Sequence, residues 1–187
     1  MANSAFTKSS IATPVSVANG GVNTCLTYET KPVGSGTLAL ANLTSNSNTT
    51  QALGMVYIPF KITVNKISIE VQTVSVAGTL DLTVYSEDGQ SKLIDVTTAT
   101  ISATGIVTTS VSSVTLNQGN YYFAVNSNST ADLTCRCVSI SATALRNPSS
   151  EPLTAGTQTI TAGTPPTTFT PSSLTVAASV PLFRLDN

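Results

Sequence analysis

The chain has 187 residues, 41% of them hydrophobic and only 9% charged, with a net charge of −1 and neither His nor Trp. A chain of this length buries a core of its own, and its apolar content is too high for a disordered segment. Near-neutrality excludes the basic field that binds nucleic acid or an anionic membrane, and the lack of His excludes Ser-His and Cys-His catalysis and most zinc chemistry.

Ser and Thr supply roughly three residues in ten. Residues 96–131 and 152–183 carry no charge at all. The surface is therefore expected to be hydroxyls and amides, with little electrostatic protection against association. No apolar run reaches the ~18 residues of a membrane span. The opening MANSAFTKSSIATPVSV lacks the basic and apolar regions of a secretory signal, so synthesis in a cytoplasm is the expectation. Cys25, Cys135 and Cys137 are an odd set, which argues against a disulfide framework and for small buried side chains.

Period-2 alternation dominates, and no amphipathic helical pattern competes with it. Residues 1–21 are small and polar and read as an extended arm. A body over 22–146 follows. VNTCLTY (22–28) and TLALAN (37–42) are its first strands, and LTSNSNTTQ (43–51) a polar loop. MVYIPFKITV (55–64) is strand-like, but Pro59 removes a ladder donor and marks an edge, bend or bulge. KISIEVQTV (66–74) turns Ile67, Ile69 and Val71 inward, and the phase slips between Val64 and Ile67, the sign of a turn or bulge. TLDLTVYS (79–86) points Leu80, Leu82 and Val84 inward and Asp81, Thr83 and Tyr85 outward. SEDGQS (86–91) is a turn, its Asp-Gly suited to left-handed geometry, and KLIDVTTATIS (92–102) continues the chain. GIVTTSVSSVTL (105–116), the turn NQGN, YYFAVNS (121–127) and DLTCRCVSISATAL (132–145) complete some eight strands. Short strands at this spacing predict an all-β, antiparallel sandwich. Residues 147–187 are rich in Pro and Thr, read as an extended C-terminal segment, and close on VPLFRLDN, a final strand or docking tail.

The carboxylates cluster between Asp81 and Asp95. Glu87, Asp88 and Asp95 are candidate calcium ligands, but they fit no EF-hand spacing, and turn-stabilising carboxylates are the commoner case. With no Trp, a carboxylate-pair glycosidase cleft is poorly supplied, and no phosphate-binding glycine loop occurs. No catalytic residue, cofactor or enzymatic activity is expected.

Three stretches resemble a β-sandwich module of tailed-bacteriophage virion proteins. They are P-F-x-I-T-V-x-K-I over Pro59–Ile67, Y-S-x-D-G at Tyr85, Ser86, Asp88 and Gly89, and L-x-x-G-x-Y-Y-F-A from Leu116 to Ala124. The likeness spans roughly residues 55–185 and rests on turn and core positions. It implies a jelly-roll-like fold and a virion role, and no catalytic residue. Without heptads or repeats for a fibre shaft, the leading expectation is a capsid decoration (cement) protein on the outer coat lattice. Its partners would be the major capsid protein and copies of itself, as a homotrimer at local three-fold positions. Phe6, Phe169, Leu182, Phe183 and Leu185 are the expected docking anchors, being apolar residues in polar arms; the other outcome is that the arms fold back on their own sandwich. The alternative is a tail-fibre module that recognises a host glycan through Tyr28, Tyr85 or Tyr122. A calcium- or sugar-binding β module from outside viruses is the third.

Overall fold

The computed structural model describes strand backbone at 14–16, 26–29 and 39–44, and then residues 48–127, 132–139, 155–161, 163–177 and 179–187. Two antiparallel sheets pack face to face. The strands are β1 (Pro14–Ser16), β2 (Leu26–Glu29), β3 (Ala39–Thr44), β4 (Thr50–Ile58), β5 (Ile62–Val76), β6 (Leu80–Ser86), β7 (Lys92–Thr97), β8 (Gly105–Leu116), β9 (Gly119–Ser127), β10 (Asp132–Ser139), β11 (Ala155–Thr159), β12 (Thr175–Val176), β13 (Ser179–Pro181) and β14 (Phe183–Asp186). A single 3₁₀ turn spans Pro171–Ser173. The all-β antiparallel sandwich expected from the alternation is what forms.

The smaller sheet runs β12-β11-β4-β9-β6-β7. The larger is built on the long β5, which pairs β8 along one edge; along its other edge β14 takes the first half and β10 the second. β10 in turn pairs β3, β14 pairs β2, and β2 pairs β1. Pro59 lies in the bend between β4 and β5, where the chain passes from one sheet to the other. The phase slip expected near Val64–Ile67 is a bulge: Val64 faces Val114 and Lys66 faces Ser110, so one β5 residue opposes three of β8.

The main core lies between the sheets. Ile67, Ile69 and Val71 of β5 meet Leu80, Leu82 and Val84 of β6 and Phe123 and Val125 of β9, all at most 1% exposed. Cys135 and Cys137 are buried and form no disulfide; Cys25 lies outside the described residues.

The C-terminal segment takes the second of the expected outcomes: it folds back on its own sandwich, and VPLFRLDN forms a final strand. β14 is an inner strand between β2 and β5, and β13 runs beside β10. Phe183 and Leu185 enter the main core, where Phe183 packs on Phe123 with ring centroids 5.5 Å apart. Val180 sits so close to β4 that a Cβ on Gly54 would fall 2.0 Å from its Cγ1, so glycine is required there.

The same segment covers the outer face of the smaller sheet. Asp81 and Tyr85, expected to face solvent, are 5% and 0% exposed. The alternation of β6 separates its two faces correctly, but residues 155–177 bury the second one. Phe169 is the plug. It packs edge-on against Tyr85 and Tyr122 at 5.1 and 5.0 Å, in a second cluster with Leu53, Met55, Ala124 and Leu174. Its amide donates to Gly89 O at 2.9 Å, and a Cβ at Gly89 would meet Phe169 O at 2.4 Å. Gly89 thus serves both its left-handed turn (φ 71°) and this close approach.

Candidate functional site

The carboxylates of the 81–95 stretch do not converge. Asp88 closes the β6–β7 turn, accepting from Ser86 Oγ at 2.6 Å and the Gln90 amide at 3.0 Å; these bonds, the serine's first, hold its pKa below the usual aspartate range. Glu87 accepts from Asn120 Nδ2 at 2.8 Å, and Asp95 pairs with Lys92 at 2.5 Å. Among the described residues no group of three or more His, Cys, Asp or Glu is placed to hold a metal ion. Glu87, Asp88 and Asp95 instead serve the turn and its flanks.

Asp81 belongs to a buried polar network that fastens the C-terminal cover. It accepts from Thr97 Oγ1 at 2.6 Å and Asn126 Nδ2 at 3.2 Å. Asn126 also donates to Gly163 O at 2.7 Å and accepts from Gln51 at 3.1 Å. Gln51 accepts from Gln158, and Tyr85 Oη donates to Pro166 O at 2.8 Å. The members satisfy one another, as a buried polar group must. Through Gly163 O and Pro166 O the network fastens the cover to the sheet.

Burial raises the Asp81 pKa, with the Thr97 and Asn126 bonds opposing. The folded state therefore holds that proton more tightly than the unfolded chain does. This contribution to stability is fully present below the ordinary aspartate value of 3.8 and is lost as pH rises through the folded value. Asp81→Asn keeps an oxygen for Asn126 and loses the buried charge. Its stability relative to the unaltered protein is expected to improve as pH rises from 3.8 through the folded Asp81 value and then to level off, read from urea midpoints. Glu70 and Asp88, whose lowered pKa values act in the opposite sense, are common to both proteins and cancel in the difference. A difference that does not change with pH would contradict the assignment.

Of the five expected anchors, Phe169, Phe183 and Leu185 fill the protein's own core, at 6%, 1% and 1% exposure, and are corrected to internal residues. An apolar residue in a polar segment buries itself wherever a sheet face is open, and here its own sheets provide one. Phe6 lies outside the described residues. Leu182 alone stays partly exposed, in a groove on the outer face of the larger sheet. The glycan pocket expected under the alternative loses Tyr85 and Tyr122, both fully buried; Tyr28 lies on β2.

No protein-family model and no curated protein matches this chain.

The groove has a volume of about 110 Å³, and Ser68, Glu70, Ile106, Arg136, Leu182 and Arg184 line it. A second depression of about 260 Å³ adjoins it through Ser68 and Arg184 and extends to Lys66, Thr108 and Asp186. The side chains come from β5, β8, β10 and the β13–β14 segment, so this face exists only once the C-terminal strand has docked. Arg136 forks onto Glu70, with Nε to Oε2 at 3.1 Å and Nη2 to Oε1 at 3.3 Å. This contact is the main reason the Glu70 carboxyl sits below its usual range. Arg184 Nε donates to Asp186 Oδ1 at 3.1 Å. Exposed pairs of this kind add little to the stability of a fold. Their weight lies in orientation: two guanidinium groups are held in place beside Ile106, which is 64% exposed, and Leu182. Exposed apolar side chains rimmed by fixed arginines form a surface suited to binding. The sequence hinted at it only through Leu182, because Glu70, Ile106, Arg136 and Arg184 lie far apart along the chain.

Proposed function

We propose that this chain is a non-catalytic structural component of a tailed-bacteriophage particle, a decoration protein that binds the outer surface of the coat lattice. The observation that carries the reading is the strand order. Eight strands pair as β3-β10-β5-β8 over β4-β9-β6-β7, an order that supports a jelly-roll-like reading of the sandwich. Viral coat and lectin domains use that architecture. The virion-like motifs fall on its turns and core: Pro59 at the sheet-to-sheet bend, Asp88-Gly89 at the β6–β7 turn, and Tyr122-Phe123 with one ring buried on each face of β9.

Docking through the outer face of the larger sheet would add interface between neighbouring coat subunits. Ile106 and Leu182 supply the apolar contact, and Arg136 and Arg184 orient toward acceptors on the coat. A tail-fibre module that recognises a host glycan is the second reading, and the burial of Tyr85 and Tyr122 weakens it. Quantitative mass spectrometry of purified particles, with heads separated from tails, tests the choice. The decoration reading expects the chain in the head fraction at a fixed ratio to the coat protein. Recovery with the tails would transfer the assignment to the fibre reading, and absence from particles would overturn both.

A further inference from the structure

Antiparallel sandwiches must protect the strands at their edges, because unpaired N–H and C=O groups are a template for another chain. Most edges here are protected. β7 is six residues long and carries Lys92 and Asp95, with a register shift in its ladder to β6. β12 has two residues, and β1 has three, beginning with Pro14. β3 is uncharged as well, but only six residues long.

β8 stands apart by its length. It has twelve residues, no charge and no proline. Among the described residues β5 is its ladder partner, so its second edge carries no strand. The bulge opposite Asn65 sets off Val111–Ser113 and leaves Gly105–Ser110 as a regular six-residue edge. Gly105, Ile106, Thr108 and Ser110 are exposed, and a Cβ on Gly105 would meet nothing within 4 Å.

We propose that Gly105–Ser110 of β8 is a self-association edge, on which a second copy of this chain adds its own β8 antiparallel and extends the larger sheet across a two-fold axis. Charge selects the occupant. In a two-fold contact each residue meets its own symmetry mate or a close neighbour, so one ionised side chain on the strand would face its like. Residues 96–131 hold none, and β8 satisfies that condition along its whole length. Of the uncharged edges, the identical β8 is the one that closes this contact on two copies, where β3 would join head to tail. Backbone pairing supplies the affinity, as in strand addition generally. A six-residue ladder covers less than the ~800 Å² per partner of a standard interface, so the dimer is weak and concentration-dependent. It closes on two copies, in place of the three-fold clustering expected from the sequence.

The inference concerns the free protein and is tested without particles, so its failure leaves the decoration reading standing, and the reverse. Sedimentation velocity of the full chain from micromolar to near-millimolar concentration is expected to show monomer passing to dimer. Thr108→Lys and Thr108→Glu each place a charge at the middle of the edge, and each is expected to weaken self-association about tenfold or more. An equimolar mixture of the two should recover the dimer, because opposite charges then face each other. Val176→Lys, on the edge of the other sheet, should associate like the unaltered protein. Melting curves establish that every variant is folded; Thr108 and Val176 are both exposed, so little change is expected. A monomer at every concentration, or undiminished association of both Thr108 variants, would overturn the proposal.

Discussion

A chain that ends at Ala177 is expected not to reach the native fold. The deletion removes β13 and β14, and with them Val180, Phe183 and Leu185, which are 0%, 1% and 1% exposed. It also leaves β2 and β5 facing each other across the place of a missing strand. Burial of three such side chains contributes ~5–9 kcal/mol. That is most of the ~5–15 kcal/mol by which domains are stable. Circular dichroism and urea unfolding should show loss of the cooperative transition. Phe183→Ala alone leaves the strand in place and removes its contact with Phe123, for an expected loss of about 3–5 kcal/mol. In a domain this size that lowers the melting temperature by roughly 10 °C. A truncated chain that melts like the full protein would return the segment to the role of a docking tail.

Phe169→Ala is the second large effect. The ring fills the space between Tyr85 and Tyr122, and its removal leaves a cavity beneath the cover rather than at the sandwich centre. The expected cost is again about 3–5 kcal/mol. A second readout separates this from generic destabilisation. Burial pushes both tyrosine hydroxyls well above the ordinary phenol pKa. With Phe169 gone, water reaches the rings, so ultraviolet titration of the folded variant should show tyrosines ionising at lower pH than in the unaltered protein. If stability falls while the titration is unchanged, the cover does not depend on Phe169.

Much of the sandwich was legible because its strands obey local rules. Ile67, Ile69 and Val71 alternate cleanly, the slip at Val64–Ile67 is a real bulge, and Asp88-Gly89 is a real turn. Both faces of β6 were harder. Asp81, Thr83 and Tyr85 are polar or amphipathic, and in a strand that pattern means solvent unless something covers it. The cover is a Thr- and Pro-rich segment some eighty residues later in the chain, whose grip comes from one phenylalanine, one leucine and backbone carbonyls at Gly163 and Pro166. No periodicity announces such a segment. The same distance hid the outer groove, where the Glu70–Arg136 fork joins β5 to β10. Phe169, Phe183 and Leu185 were expected as docking anchors because they are apolar residues in polar segments, and they pack inside the molecule instead.

In the proposed function the C-terminal segment builds a docking face and does not itself dock. Occupancy on heads that lack the protein measures it directly, with the unaltered chain compared to Ile106→Glu combined with Leu182→Glu, and with Thr108→Glu as the control for a charge on the β8 edge. Both side chains reach solvent, so the variant is expected to fold and to melt within a few degrees of the unaltered protein. The unaltered chain is expected to saturate the heads and the double variant to lose at least about tenfold in affinity, as follows from carboxylates placed in an apolar contact. Equal occupancy by the two proteins would contradict the assignment of this face.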